Sequence, residues 1–226
     1  ILLTDLEDGS SRIVREGETV TGELGQAVEK AFRSGKSGTV EVDGRNCFLN
    51  VHVPPARIVV IGAVHISQAL ASMAKIAGFD LEIIDPRTAF ATPERFAGVT
   101  LFADWPEDVL RERPLDRYTA LAALTHDPKI DDFPLSAAFN AGCFYVGALG
   151  SRKTNAKRRE RLVAAGLSEA QFERIAAPIG LDIGAASPAE IAVAVLAQII
   201  EALRKRDLSS AADAGAMPDK SVVMGA

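Results

Sequence analysis

The 226-residue chain has little of what staples, ligates or anchors a protein. Its two cysteines, Cys47 and Cys143, lie far apart and in no Cys-x-x-Cys or Cys-x-x-His arrangement. They can build neither a disulfide framework nor a zinc site, so a reducing cytoplasm is the expected compartment. Its three histidines fall at neither His-x-His nor His-Glu-x-x-His spacing, which argues against a metal site. An excess of positive charge is missing too: 25 Lys and Arg stand against 30 Asp and Glu, for a net charge of -5. General nucleic-acid binding needs the opposite balance, because phosphates must be neutralised. The most apolar stretch, 191–200, is half a bilayer span and contains Gln198, so no membrane span is expected. No segment reads as a signal peptide. Residue 1 is Ile rather than Met, which places the expected true N-terminus upstream. Internal repeats and long low-complexity runs are also absent. What is present is 48% hydrophobic and 24% charged residues, enough to form an ordinary core without a covalent or metal staple.

By pattern the chain divides into a small N-terminal unit (1–55), a main domain (56–206) and a tail (207–226). In the first, a helix is expected over 22–32. Two strands, 39–42 and 47–53, flank Asp43-Gly44, a dipeptide suited to a tight hairpin because both central residues need φ > 0. Pro54-Pro55 is extended punctuation. Beyond it, apolar runs at 57–61, 81–84, 99–102, 118–124 and 144–146 alternate with helices expected at 66–77, 105–112, 134–141 and 151–165. A short helix follows Ser168, and a long one covers 187–206 with Pro188 in its first turn. This alternation predicts βαβ units, and strands without polar alternation predict helices on both faces. The fold class is therefore α/β: a Rossmann-like parallel sheet flanked by helices, preceded by a small α+β unit. Ile191, Val195 and Ile199 give the long helix an apolar face for packing on the sheet or, in part, for a homodimer. The tail reads as a docked arm or a loose end.

A parallel sheet binds ligands beyond the carboxyl ends of its strands. The first strand delivers Gly62-Ala63-Val64-His65-Ile66-Ser67 there. Gly62 suits the tight turn, and the following helix offers free N–H groups to a phosphate. Asp85, 23 residues on, stands where an acidic residue takes a ribose hydroxyl. Gly62 and Asp85 thus leave an NAD(P)-dependent oxidoreductase with a Rossmann domain as the alternative function, but Val64 fills the gap that the second glycine of a dinucleotide fingerprint leaves for the pyrophosphate, so NAD(P) is disfavoured. His65 reads either as a helix-start histidine bonded to a carbonyl or as a donor to a ligand. Asp85-Pro86-Arg87 reads as a diol and anion reader or as an internal salt bridge. Thr125-His126-Asp127, with Asp131 and Asp132 nearby, reads as an acid–base pair, half a metal site or a turn. Gly147-Ala148-Leu149-Gly150-Ser151-Arg152-Lys153 is the strongest anion site: glycines, an N-cap serine and two cations open a helix. Lys157 to Arg161 read as a solvated face. The apolar, glycine-bearing loop from Pro178 through Gly180 and Asp182 to Gly184 reads as the lining of a site or interface. Cys143 reads as core, and nothing near Cys47 activates a thiolate.

Taken together, these segments resemble the xanthine dehydrogenase accessory factor (XdhC/CoxI) family. The likeness rests on Gly62-Ala63-Val64-His65, Asp85-Pro86-Arg87, Arg95-Phe96, Thr125-His126-Asp127, Tyr145 through Arg152, Pro178 through Gly184, and Pro188-Ala189-Glu190-Ile191-Ala192, in the family's order. Val64 departs from it, since the family usually carries glycine there. The resemblance implies a non-enzymatic carrier that binds molybdenum cofactor, as molybdopterin or its cytosine dinucleotide. It also implies assistance in the cofactor's sulfuration and insertion into a molybdenum hydroxylase of the xanthine or carbon monoxide dehydrogenase type. A cysteine desulfurase is the candidate second partner. The expected cofactor-binding residues are Gly62, His65, Asp85, Arg87, His126, Asp127, Gly150, Ser151, Arg152, Gly180 and Asp182, with no catalytic residue and no metal ligand.

Overall fold

Asp43 and Gly44 both adopt positive φ, 51° and 75°, and the strands on either side pair with Val42 opposite Arg45, the tight hairpin that the dipeptide predicts. The hairpin belongs to the first of two compact units in the computed structural model, which describes residues 1–206 and Leu208. That unit comprises Ile1–Pro54 and, among the described residues, Arg204–Arg206 with Leu208. Its elements are β1 (Leu2–Asp5), β2 (Ser11–Ile13), α1 (Gly22–Ser34), β3 (Gly38–Val42) and β4 (Arg45–Asn50), with the four strands antiparallel in the order β2-β1-β4-β3. Leu3, Val14, Val28, Phe32 and Leu49 form its core. Arg204 donates to the carbonyls of Arg33 (2.7 Å) and Ser34 (3.1 Å), satisfying acceptors that the end of α1 leaves open. Apart from Leu208, the expected tail lies outside the described residues.

The second unit, Pro55–Leu203, follows from strands that are apolar on both faces. Its elements are β5 (Arg57–Ile61), α2 (His65–Ile76), β6 (Asp80–Ile84), β7 (Thr100–Phe102), α3 (Pro106–Glu112), β8 (Thr119–Ala123), α4 (Pro128–Asn140), β9 (Tyr145–Ala148), α5 (Arg152–Ala164), α6 (Glu169–Glu173) and α7 (Pro188–Lys205), whose last two residues fall in the first unit. The five strands are parallel in the order β7-β6-β5-β8-β9. Successive strand side chains point to opposite faces. Ile58, Val60, Ile83, Ala120 and Ala122 therefore pack with Ile66 and Leu70 of α2 and Val195 and Ile199 of α7. Val59, Ile61, Ile84, Leu121 and Ala123 pack with Ile130, Leu135 and Leu162 of α4 and α5 on the other face. Each such side chain, once fully buried, contributes about 1.5–3 kcal/mol relative to exposure.

The helix expected at 134–141 begins six residues earlier, at Pro128. Asp127 caps it by accepting from the Lys129 N–H (3.0 Å), and Pro128 occupies a first-turn position where a missing N–H costs nothing. β1 and β2 lie outside the strands that the pattern predicts: at four and three residues, with β2 wholly exposed, they carry too short an alternation to read.

Gly62, at φ 118°, ends β5 so close to the neighbouring strand that a Cβ would lie 2.9 Å from Thr125 Cγ2 and 3.3 Å from the Thr125 backbone nitrogen. Gly62→Ala is expected to cost about 1–3 kcal/mol through backbone strain and this contact, measured as a lower urea midpoint at unchanged slope.

Candidate functional site

The chain runs outward from β5 through β6 to β7 and then returns to β8 on the other side of β5. The turns after β5 and β8 therefore leave in opposite directions and open a crevice at the carboxyl end of the sheet. The segments expected to carry function after β5, β6, β8 and β9 all lie at that end.

The turn after β5 is tied down from three sides. Ser67 Oγ donates to the Gly62 carbonyl (2.5 Å), and the Ala63 N–H donates to Asp85 Oδ2 (2.7 Å). Arg95 Nη1 donates to the carbonyls of Ala63 (3.1 Å) and Phe90 (2.7 Å). Val64 has extended backbone (φ -106°), so the position does not require glycine, and its side chain rests against the core. His65 is the first residue of α2 and is exposed.

Asp85 is fully buried, and both its oxygens are engaged within the chain. Besides Ala63, it accepts from the Arg87 backbone N–H (2.9 Å), Arg87 Nε (2.9 Å) and Arg87 Nη2 (2.7 Å). Of the two readings of Asp85-Pro86-Arg87, the geometry is the internal salt bridge: Asp85 holds Arg87 and presents no free oxygen to a ribose. Burial pushes the Asp85 carboxyl upward, but the bonds from Arg87 and from the Ala63 and Arg87 amides outweigh it and hold it below the usual carboxylate range. Arg87 is half-buried, lies 4.8 Å over the Phe90 ring and feels the charges of Asp127 and Asp131 from across the crevice.

After β8, His126 is exposed at φ 64° and Asp127 is the α4 cap. The turn is anchored below by Asp131, 0% exposed, whose Oδ1 accepts from Thr125 Oγ1 (2.7 Å), while Thr125 Oγ1 accepts from the Asp127 N–H (3.0 Å). Burial raises the Asp131 carboxyl to about 6, against the bonds from Thr125, the charge of Arg158 and the amides of Thr125 and His126. Burial, followed by the charge of Arg158, lowers the His126 imidazole.

After β9, Ser151 caps α5 by accepting from the Thr154 N–H (3.2 Å). Gly150 has φ 147°. Arg152 and Lys153 are exposed. Arg158, expected on a solvated face, is 2% exposed and lies beneath the turn. Its Nη2 donates to the Leu149 carbonyl (3.0 Å) and its Nη1 to Asn155 Oδ1. Asn155 Nδ2 in turn donates to the Gly150 carbonyl (3.3 Å). Arg158 Nη2 faces Asp131 Oδ2 at 3.8 Å, and Asp131 Oδ2 and Arg158 Nε are buried without a hydrogen-bond partner. The sequence signal for this network is faint but present: Asn155, Arg158 and Leu162 fall at i, i+3 and i+7, one face of a helix.

The loop from Pro178 to Gly184 follows a short sixth strand position. Ala176 pairs in parallel with Gly147, and the Ile179 N–H donates to the Ala148 carbonyl (3.1 Å), which carries the loop to the carboxyl end. Gly180 (φ 96°) seats against α7, where its N–H donates to Gln198 Oε1 (2.8 Å) and a Cβ would come 3.1 Å from Ala194 Cβ. Asp182 is exposed. Cys143 is buried, which pushes its thiol up to about 12, and Cys47 is buried in the first unit. Among the described residues no group of three or more His, Cys, Asp or Glu could hold a metal ion, and no helix is long and apolar enough to cross a membrane.

Residues 58–199 match a family model described as the XdhC Rossmann domain. The chain is 33% identical over 162 residues to a probable xanthine dehydrogenase component of Bacillus subtilis (strain 168), covering 71% of this chain and 47% of that protein. It is 31% identical over 146 residues to the "Molybdenum cofactor insertion chaperone PaoD" of Escherichia coli (strain K12), covering 65% and 40%. The chain spans less than half the length of these curated relatives. A crystal structure described as a xanthine dehydrogenase from Bacillus halodurans matches 92% of this chain and 61% of that one, with a TM-score of 0.63 and 24% identity, a likeness of fold.

Because the Asp131 carboxyl titrates near 6 in the fold and near 4 when unfolded, the folded chain binds the extra proton between those values. Its contribution therefore weakens as pH rises through that window, by roughly 3 kcal/mol across it. Asp131→Asn is expected to remove this fall, so that wild type loses stability relative to the variant between pH 4 and pH 7 in thermal unfolding.

Proposed function

The chain belongs to the XdhC Rossmann-domain family, and from that premise we propose that it is an accessory protein that carries molybdenum cofactor as cargo to a molybdenum hydroxylase. One observation carries the reading: the turn after β9 leaves the N–H groups of Gly150 and Ser151 without partners among the described residues, at the start of α5 and directly over the buried cation of Arg158. That arrangement fits the phosphate of the cargo. Arg152, exposed at the same helix start, closes on the phosphate from solvent. Arg87, His65 and His126 rim the crevice as donors toward the pterin and the oxo ligands. Gly62 keeps the first turn tight, and Asp85 serves by fixing Arg87. Asp127 caps α4 beneath His126. Gly180 and Asp182 belong to the loop through which the cargo is handed over.

The name of the insertion chaperone relative supports this role, and the share of each relative matched leaves room for further segments in those proteins. Sulfuration of the cargo with a cysteine desulfurase, a client of the xanthine or carbon monoxide dehydrogenase type, the form of the cofactor and a homodimer are parts of the same proposal. A carrier should hold its cargo without attacking it, and the buried thiol of Cys143, pushed up to about 12, suits that requirement. NAD(P) remains the disfavoured ligand, because the Ala63 and Arg87 donors already occupy both oxygens of Asp85, the carboxylate that would take its ribose.

The test is retention and delivery. Arg152→Ala, at an exposed position, should weaken cofactor retention in equilibrium dialysis by about 1 kcal/mol, roughly fivefold. Asp182→Ala should retain cofactor while activating an apo-hydroxylase more slowly. Failure of the unaltered chain to retain molybdopterin would overturn the carrier reading.

A further inference from the structure

Arg158 belongs to none of the groups that rim the crevice, yet it is the largest fully buried side chain of the protein among the described residues. A buried guanidinium is costly unless something uses it. The one carboxylate within ion-pair distance of it among the described residues, Asp131, stands at 3.8 Å rather than in a fork, the charge of Asp132 adds a weaker pull, and Nε has no partner among those residues. What the guanidinium does hold is the turn. Arg158 Nη2 takes the Leu149 carbonyl, and Arg158 Nη1 fixes the Asn155 amide that takes the Gly150 carbonyl.

A trans peptide unit is planar, with its C=O and the following N–H pointing in opposite directions. Drawing the Leu149 carbonyl down onto Arg158 therefore turns the Gly150 N–H up. Drawing the Gly150 carbonyl down onto Asn155 does the same for the Ser151 N–H. Neither of these two N–H groups has a partner among the described residues. Gly150 can follow because it has no side chain: at φ 147° a Cβ would lie 3.1 Å from Thr154 Cγ2. We infer that Arg158 is the positioning residue of the anion site, working through the Leu149 and Gly150 carbonyls to aim two amides outward while lending its under-compensated charge from below.

The inference rests on the reading of this turn as an anion site, and its test separates the two. The full ¹⁵N-labelled chain is titrated with sulfate, whose charge is constant over the working pH, at fixed ionic strength, following the Gly150 and Ser151 amide resonances. In the unaltered chain both should move and saturate. Arg158→Met and Asn155→Ala should displace both resonances before sulfate is added and raise the sulfate Kd about tenfold. Arg161→Met removes a cation from the same helix and breaks its pair with Asp132, and should leave both amides and the Kd unchanged. If Arg158→Met fails to fold, Asn155→Ala decides. An unchanged Kd in Asn155→Ala and Arg158→Met, or the same loss in Arg161→Met, overturns the positioning role while the anion site stands. No saturable response in the unaltered chain overturns the anion site and the positioning role together.

Discussion

Everything at the candidate site depends on one constraint: β5 and β8 are adjacent, parallel and apolar on both faces. Neither strand can carry a polar group in its interior, because helices cover both sides. Polar chemistry is therefore pushed to the strand ends, and parallel strands present all their carboxyl ends at one edge. The contact of Gly62 with Thr125 is the tightest expression of this, since it closes the two central turns against each other and fixes where the crevice opens.

Within that crevice two arginine–aspartate pairs do opposite things. Asp85 grips Arg87 through two side-chain bonds of 2.7 and 2.9 Å, so the guanidinium at the crevice has already lost much of its rotational freedom. A cation so held gives up less entropy when an anion arrives. Asp131 and Arg158 are deeper and looser, and both are shifted by burial toward their neutral forms. They hold the turns after β8 and β9 more than each other, Asp131 through Thr125 and Arg158 through Asn155 and the Leu149 carbonyl. The first pair orients a side chain, and the second orients peptide groups.

Much of this is legible in the sequence because the periodicities are clean. Parallel strands buried on both faces read as short β-branched runs, and Asp43-Gly44 and Pro188 are local signals that tertiary structure has no reason to override. The residues that escape do so for physical reasons. Pro134 reads as a helix start, but the stronger start is Asp127-Pro128, a cap followed by a first-turn proline. Arg158 sits in a run of charges, and composition cannot say which one of five turns inward; its facing Asn155 and Leu162 on the same stripe can. The spacing of Asp85 points to a ribose, but spacing does not report that a guanidinium two residues on reaches the same carboxylate first.

The short pairing of Ala176 with Gly147 has a consequence beyond delivering a loop to the site. A parallel sheet ends in two edges, each a row of unpaired backbone groups that invites another strand. On one side the Ala176 and Ile179 amides and the Ala176 carbonyl occupy part of the open row of β9. On the other side β7 is only three residues long. Neither edge of the second unit thus offers a long, flat template, which protects a chain rich in β-branched strands from adding copies of itself edge to edge. Any association between copies through this unit is thereby left to its helices and turns.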